Sequence, residues 1–200
     1  MNYEERVGNL VDQLSSISVE KLTDWERSFV NSMMAVWPKY RSLTPKQEHH
    51  VRRIVRTHID PPPNPGNLLP VFTLFDYAGT HLKYPKLDFD LGDTVGIVRF
   101  KRVGSRGKRP GSINVTDDGH YPHNVWYGCI NTDGTYHCNM PSKEIATLLA
   151  ALAADPTGAL AEYGKKSGAC CMCRLPITTE TSMAMGYGPV CAKNWGLPYG

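Results

Sequence analysis

Cys170-Cys171-Met172-Cys173 is the densest concentration of chemistry in the chain, three thiols within four residues. A C-x-x-C spacing lets a tight knuckle turn aim two thiolates, here Cys170 and Cys173, at one ion. Seventeen residues separate Cys173 from Cys191, which closes the phrase Gly186-Tyr187-Gly188-Pro189-Val190-Cys191. Its glycines permit a turn and Pro189 suits the first turn of a helix. Cys191 then sits near a helix N-terminus, where the positive helix end favours a thiolate. Cys170, Cys173 and Cys191 are therefore the expected ligands of a Zn2+ ion. Clustered cysteines in a reducing compartment mean metal more often than disulfide. The fourth ligand stays open between Cys171, His137, Cys138 and a water. A water there would imply a catalytic site.

Basic residues form the second candidate site. Arg99, Lys101, Arg102, Arg106, Lys108 and Arg109 fall in a stretch that carries no acid from 99 to 116. Gly104, Gly107 and Gly111 mark it as a loop between two strands. A basic loop on a small β-domain suits phosphates, and Trp126 and Tyr127 on the following hairpin suit stacked bases. Lys101, Arg102, Arg106, Lys108, Arg109 and Trp126 are the candidate nucleic-acid contacts. Lys46, Arg52, Arg53 and Arg56 read as an exposed helix face, and His49 and His50 as surface or boundary residues. Asp117-Asp118-Gly119-His120-Tyr121-Pro122-His123 has residue types used in hydrolysis but reads as a turn loop. No phosphate-binding glycine loop, nucleophile elbow or HExxH helix is present.

An α+β chain is expected to position these groups. Residues 1–60 read as a helical module. Val7, Leu10, Val11, Leu14 and Ile17 recur at helical spacing. Thr23 and Glu26 form a capping box before an apolar stripe of Trp25, Phe29, Val30, Met33 and Trp37, which Pro38 is expected to end. Thr44, Pro45 and Gln47 start a third helix that buries Val51, Ile54, Val55 and Ile59. Residues 61–66, Pro61-Pro62-Pro63-Asn64-Pro65-Gly66, form a stiff linker. Residues 67–141 read as an antiparallel β-domain, a small barrel or curled sheet. Its strands are expected at Val71–Phe75, Thr94–Val103, Ser112–Thr116, Asn124–Asn131 and Thr135–Asn139. With Asp133-Gly134 as a two-residue loop, Cys129 and Cys138 face each other at a pair whose Cα atoms approach about 4.5 Å. That suits packed thiols, a disulfide or a shared metal. Residues 142–164 form a helical connector. Ser142 caps a helix burying Ile145, Leu148, Leu149 and Leu152, and a second helix from Pro156 ends at Gly164. Residues 165–200 carry the cysteines.

Knuckle, hairpin and helix-borne ligand are the logic of a treble-clef finger. Residues 164–195 resemble a small zinc-finger family found at the ends of phage and bacterial proteins. Its pattern is roughly C-x-x-C-G-R-x-L-T-(D/E)-x-x-S followed by G-x-G-P-x-C. The matching residues are Cys170, Cys173, Thr178, Ser182, Gly186, Gly188, Pro189 and Cys191. Arg174 stands where that family has its knuckle glycine, and Asn194 and Trp195 stand where a fourth ligand might follow Cys191. The phrase Leu22-Thr23-Asp24-Trp25-Glu26-Arg27-Ser28-Phe29-Val30-Asn31-Ser32, then Leu43-Thr44-Pro45-Lys46-Gln47, is similar to a helical segment of phage proteins beside DNA-processing domains.

Composition narrows the function classes. The chain has 200 residues, 41% apolar and 20% charged, with a net charge of +3. That charge is too small and too evenly spread to name a nucleic-acid partner, so any electrostatic site is local. No apolar run reaches the ~18 residues of a membrane span, and no apolar signal core follows the polar N-terminus. A cytoplasmic protein is expected, in a host cell if phage-encoded. The resemblances imply a non-enzymatic, nucleic-acid-binding accessory protein of phage type with structural zinc. The alternatives are a module that docks on a host protein and a zinc hydrolase with an open coordination position.

Overall fold

The computed structural model describes residues 2–59, 61, 63–120, 123–138 and 142–200. The architecture is α+β, and the chain divides into two compact units, Met1–Pro62 and Pro63–Gly200.

The first unit is built of three helices, α1 (Tyr3–Ser15), α2 (Asp24–Tyr40) and α3 (Pro45–His58). Each begins with a capping box, formed by Asn2 with Glu5, Thr23 with Glu26, and Thr44 with Gln47. Two orphan amides are satisfied reciprocally in each box, which places the helix starts locally. Val7, Val11, Leu14, Met33, Trp37, Val51 and Ile54 form the core.

Three details depart from the stripe expected in the sequence. Pro38 lies inside α2, which continues to Tyr40 and stops where Arg41 turns left-handed at φ 49°. A proline this close to the end removes one backbone donor without stopping the last turn. Trp25 is half exposed and lies parallel to Phe29, with the Arg53 guanidinium over its ring, while Glu26 takes the buried position. Ile59 follows α3 as its C-cap residue and is 42% exposed.

The second unit opens with α4 (Leu69–His81), where the run Val71–Phe75 was expected as a strand. Val71, Phe75 and Ala78 are fully buried on one helical face. A five-residue apolar run fits a buried helix as well as a strand, and here Pro70 sits in the first turn of the longer segment.

Five antiparallel strands follow in simple meander order: β1 (Lys86–Asp90), β2 (Ile97–Arg102), β3 (Ile113–Thr116), β4 (Trp126–Ile130) and β5 (Tyr136–His137). Leu87, Phe89, Val98, Phe100, Ile113, Val115 and Ile130 fill one face of the sheet. Against them pack α4, α5 (Lys143–Ala154), α6 (Pro156–Ser167) and α8 (Pro189–Trp195), through Phe75, Leu149, Leu152, Leu160 and Trp195. The pairing register sets Lys86, Lys101, Asn114, Cys129 and His137 in one row across the other face.

The β4–β5 hairpin turns on residues 132–134 rather than on Asp133-Gly134 alone. Asn131 N–H donates to Thr135 O at 2.8 Å, Gly134 N–H donates to Asn131 O at 2.9 Å, and Gly134 holds φ 82°. A three-residue loop with glycine in the left-handed position shifts the register by one. Cys129 therefore opposes His137, not Cys138, and both cysteines are free thiols.

Candidate metal centre and the basic sheet face

The knuckle begins where α6 ends. Gly168 turns left-handed at φ 69° and closes α6, four residues beyond the expected stop at Gly164. Gly164 instead lies inside the helix, against the backbone of Gly186, where a Cβ would come within 1.7 Å of the Gly186 carbonyl oxygen. Gly186 closes α7 (Glu180–Met185) at φ 79°. Between the cysteines lie a single bridge, Ala169 to Pro176, and this short helix, in place of the expected hairpin. Pro176 has no N–H to extend a ladder, and Thr179 caps α7 by accepting from the Ser182 amide.

Within the knuckle, Cys170 N–H donates to Leu175 O and Arg174 N–H to Cys170 O. Arg174 occupies the left-handed region at φ 64°. Its guanidinium reaches Asp118 Oδ2 at 3.2 Å and lies 4.0 Å from Asp88 Oδ2. Asp118, a member of the expected turn loop, thus has a structural partner; Tyr121 and Pro122 of that loop lie outside the described residues.

Gly188 precedes α8, Pro189 is its first residue, and Cys191 stands in its first turn. The Sγ atoms of Cys170, Cys173 and Cys191 all lie within 4.8 Å of one another. Thiolates around one tetrahedral ion with bonds of about 2.3 Å sit about 3.8 Å apart, so three ligand positions are largely in place. Cys170 and Cys191 perturb each other. A hydrogen bond from Cys191 pulls the Cys170 thiol down to about 5; burial opposes this, and the Cys173 and Met172 amides assist it. The same contact with Cys170, with burial, pushes the Cys191 thiol up. Three sulfur donors this close together suit a soft or borderline cation.

No fourth histidine, cysteine or carboxylate joins this group among the described residues. Burial pushes Cys171 well up as a thiol, while its carbonyl accepts from the Asp88 amide. His137 lies beside Trp126 on the sheet, and Cys138 is outside the cluster, so neither proposed reach from the sheet occurs. Trp195 packs edge-on against Phe75 at 5.2 Å.

The basic candidates separate into places with different surroundings. Arg99, Lys101 and Arg102 lie on β2 rather than in a loop. Arg99 gives two hydrogen bonds to the buried carboxylate of Asp88, at 2.7 and 2.9 Å. Arg102 pairs with Asp76 at 2.6 Å. Lys108 and Arg109 belong to the loop after β2 and border a concavity of about 480 Å³ with Val103, Asn114, Trp126 and His137. There the Arg109 guanidinium lies 5.6 Å from the Trp126 ring centroid, and the Trp126 indole N–H faces Asn114 Oδ1 at 3.4 Å. Arg106 is exposed. On α3, Arg52 pairs with Glu48, and Arg53 lies 3.6 Å from Glu26. Lys83, Tyr84, Asp88 and Asn114 escaped the reading of the sequence. The alternation Lys86-Leu87-Asp88-Phe89-Asp90 was the available signal for β1.

Fold and site together define an α+β protein with a three-cysteine cluster near its C-terminus that is close enough to hold a metal ion. Residues 161–196 match the model of a family described as "Family of unknown function (DUF6011)". That match spans the three cysteines and the Gly164–Gly186 contact. No curated protein and no solved structure matches the chain. No helix among the described residues is long and apolar enough to cross a membrane.

Proposed function

We propose that this protein binds single-stranded or structured nucleic acid on the outer face of its sheet, and that a zinc ion on Cys170, Cys173 and Cys191 stabilises the C-terminal module. The observation that supports this most directly is the concavity where Lys108 and Arg109 flank Trp126, with Asn114 and His137 beside it. Cationic side chains at a partly exposed indole provide phosphate attraction and a base-stacking surface together. Zinc has a structural role here: it clamps the knuckle to α8 and needs no part in a reaction. The likeness of the cysteine segment to phage and bacterial fingers supports an accessory role of that type in the cytoplasm.

Fluorescence anisotropy with labelled oligothymidylate across a salt series tests the binding. The logarithm of affinity falls linearly with the logarithm of salt concentration. Removing both charges in Lys108→Ala/Arg109→Ala reduces the slope by about 1.4. Trp126→Ala lowers affinity by about tenfold or more. Unchanged binding in both variants sinks this reading. X-ray absorption on the purified protein tests the ion: mostly sulfur ligation supports the structural role, while a coordinated water favours a hydrolase.

A further inference from the structure

We infer that the nucleic-acid surface continues past the loop after β2 into a second concavity built on Tyr84, and that an unpaired strand occupies both. This rests on the proposed binding at Trp126 and extends it. The second concavity, about 470 Å³, lies between the end of α4 and the strands and is bordered by Leu82, Lys83, Tyr84, Lys101, Arg102 and Val103. Val103 borders the Trp126 concavity as well, and it is the residue common to the two linings.

The second hollow shares with the first an aromatic ring set among cations, but it is more apolar, with Phe75, Gly79 and Pro85 also in its lining. Tyr84 is 70% exposed, so solvent reaches its ring. Lys83 Nζ lies over this ring at 5.4 Å from its centroid and Lys101 Nζ at 5.9 Å, so two cations stand where a stacked base would bring its phosphates. Arg102 borders this hollow with its charge already met: Nη1 donates to Asp76, and the guanidinium lies 5.6 Å from the Phe72 ring centroid. Asp76, already paired with Arg102, is the carboxylate at this end; Lys83, Lys101, Lys108 and Arg109 outweigh it.

The loop between the hollows holds its shape through its own backbone. Gly111 N–H donates to Val103 O, Val103 N–H to Ser112 O and Gly107 N–H to Gly104 O. Two aromatic platforms joined by a cationic ridge select a flexible strand. A duplex keeps its bases stacked on each other and presents none to Tyr84 or Trp126.

Binding by the full-length protein to oligothymidylates of about four and about twelve nucleotides, and to a duplex of the longer length, tests this. Lys83→Ala/Tyr84→Ala is expected to weaken the longer oligomer about tenfold while leaving the shorter within about twofold. Trp126→Ala weakens both. Both variants alter exposed or half-exposed side chains, and circular dichroism checks that they fold. If Lys83→Ala/Tyr84→Ala binds the longer oligomer like the wild type while Trp126→Ala does not, the second platform is refuted and the first site stands. If the duplex binds as tightly as the single strand, the strand selectivity is refuted. If no oligomer binds the wild-type protein, the first site and its extension fall together.

Discussion

The backbone N–H of Asp88 donates to the carbonyl oxygen of Cys171 at 2.7 Å, which ties the edge strand β1 to the cysteine knuckle. The same residue's carboxylate is almost fully buried, bonded twice by Arg99 and placed 3.3 Å from Lys86 Nζ. Asp88 thus covers a sheet edge, neutralises a charge on β2 and faces Arg174 of the knuckle.

Truncating that carboxylate leaves Arg99 with the Asp118 carbonyl, at 3.2 Å, in place of a paired charge. Asp88→Ala is expected to lower stability by about 3 kcal/mol in urea unfolding. Burial disfavours the charged form of Asp88, but hydrogen bonds and charge from Arg99, with Lys86, outweigh it and hold the carboxyl below its ordinary range. The unfolded chain therefore takes up this proton first. The stabilisation is complete above the unfolded value of about 4 and is lost as pH falls through the lower folded value. Asp88→Asn is expected to flatten the acid limb of a stability–pH curve; an unaltered limb would show that other carboxylates govern it.

Gly164 offers a test with an inverted sign. Alanine inside an exposed helix normally gains about 0.5–1 kcal/mol over glycine. Here the added Cβ meets the Gly186 carbonyl, and backbone on both sides cannot move aside cheaply. Gly164→Ala is expected to destabilise the second unit by about 2 kcal/mol, within the range of overpacking. A rise in thermal midpoint would show that α6 and α7 do not meet this closely.

Arg174 separates backbone strain from charge. It holds a left-handed φ of 64°, which costs an ordinary residue about 1 kcal/mol. Its ion pair with Asp118 is between half-exposed groups and is worth at most about 1 kcal/mol. Arg174→Gly is therefore expected to change stability by no more than about 0.5 kcal/mol, because relief and loss offset each other. Arg174→Val suffers both penalties and falls by about 2 kcal/mol, since a β-branched residue tolerates this conformation worst. Equal denaturation midpoints for the two variants would contradict the strain.

Metal content tests the cysteine cluster directly. One equivalent of zinc is expected per chain, lost in Cys170→Ser, Cys173→Ser and Cys191→Ser and retained in Cys171→Ser and Cys129→Ser. Chelation is expected to lower the thermal midpoint, because the ion's binding energy is folding energy for a site of this kind. Affinity falls with falling pH as thiols hold their protons. Cys191, pushed up by its hydrogen bond with Cys170 and by burial, adds to the proton competition the ion must overcome. Zinc retained in Cys191→Ser would place the ligand set elsewhere.

Much of the local structure was legible before any coordinates. Thr23 with Glu26, and Thr44 with Pro45 and Gln47, mark helix starts because capping satisfies amides within one turn of chain. Strands β2 and β3 are readable from apolar runs bounded by glycine and proline. The cysteines at 170, 173 and 191 are readable because metal ligation restricts both residue type and spacing. Illegible residues share a dependence on distant partners. Val71–Phe75 is helical because the segment reaches on to Ala78, which completes a face against the sheet. Gly164 resembles a helix stop and is a packing contact, since only the approach of Gly186 reveals its use.

From its sequence alone, this protein's helix starts at Thr23, Thr44 and Ser142, its α+β class and its Cys170/Cys173 knuckle follow, because each rests on local pattern, and the phrase ending in Cys191 marks that residue as their candidate third ligand. Tertiary structure decided the rest: which strand faces which, that Cys129 meets His137, that Arg99 and Arg102 are paired while Lys108 and Arg109 flank Trp126, and that Cys191 reaches the knuckle at all. Those outcomes depend on burial and on register between segments far apart in the chain. A one-residue difference in a loop reverses them at almost no local energetic cost.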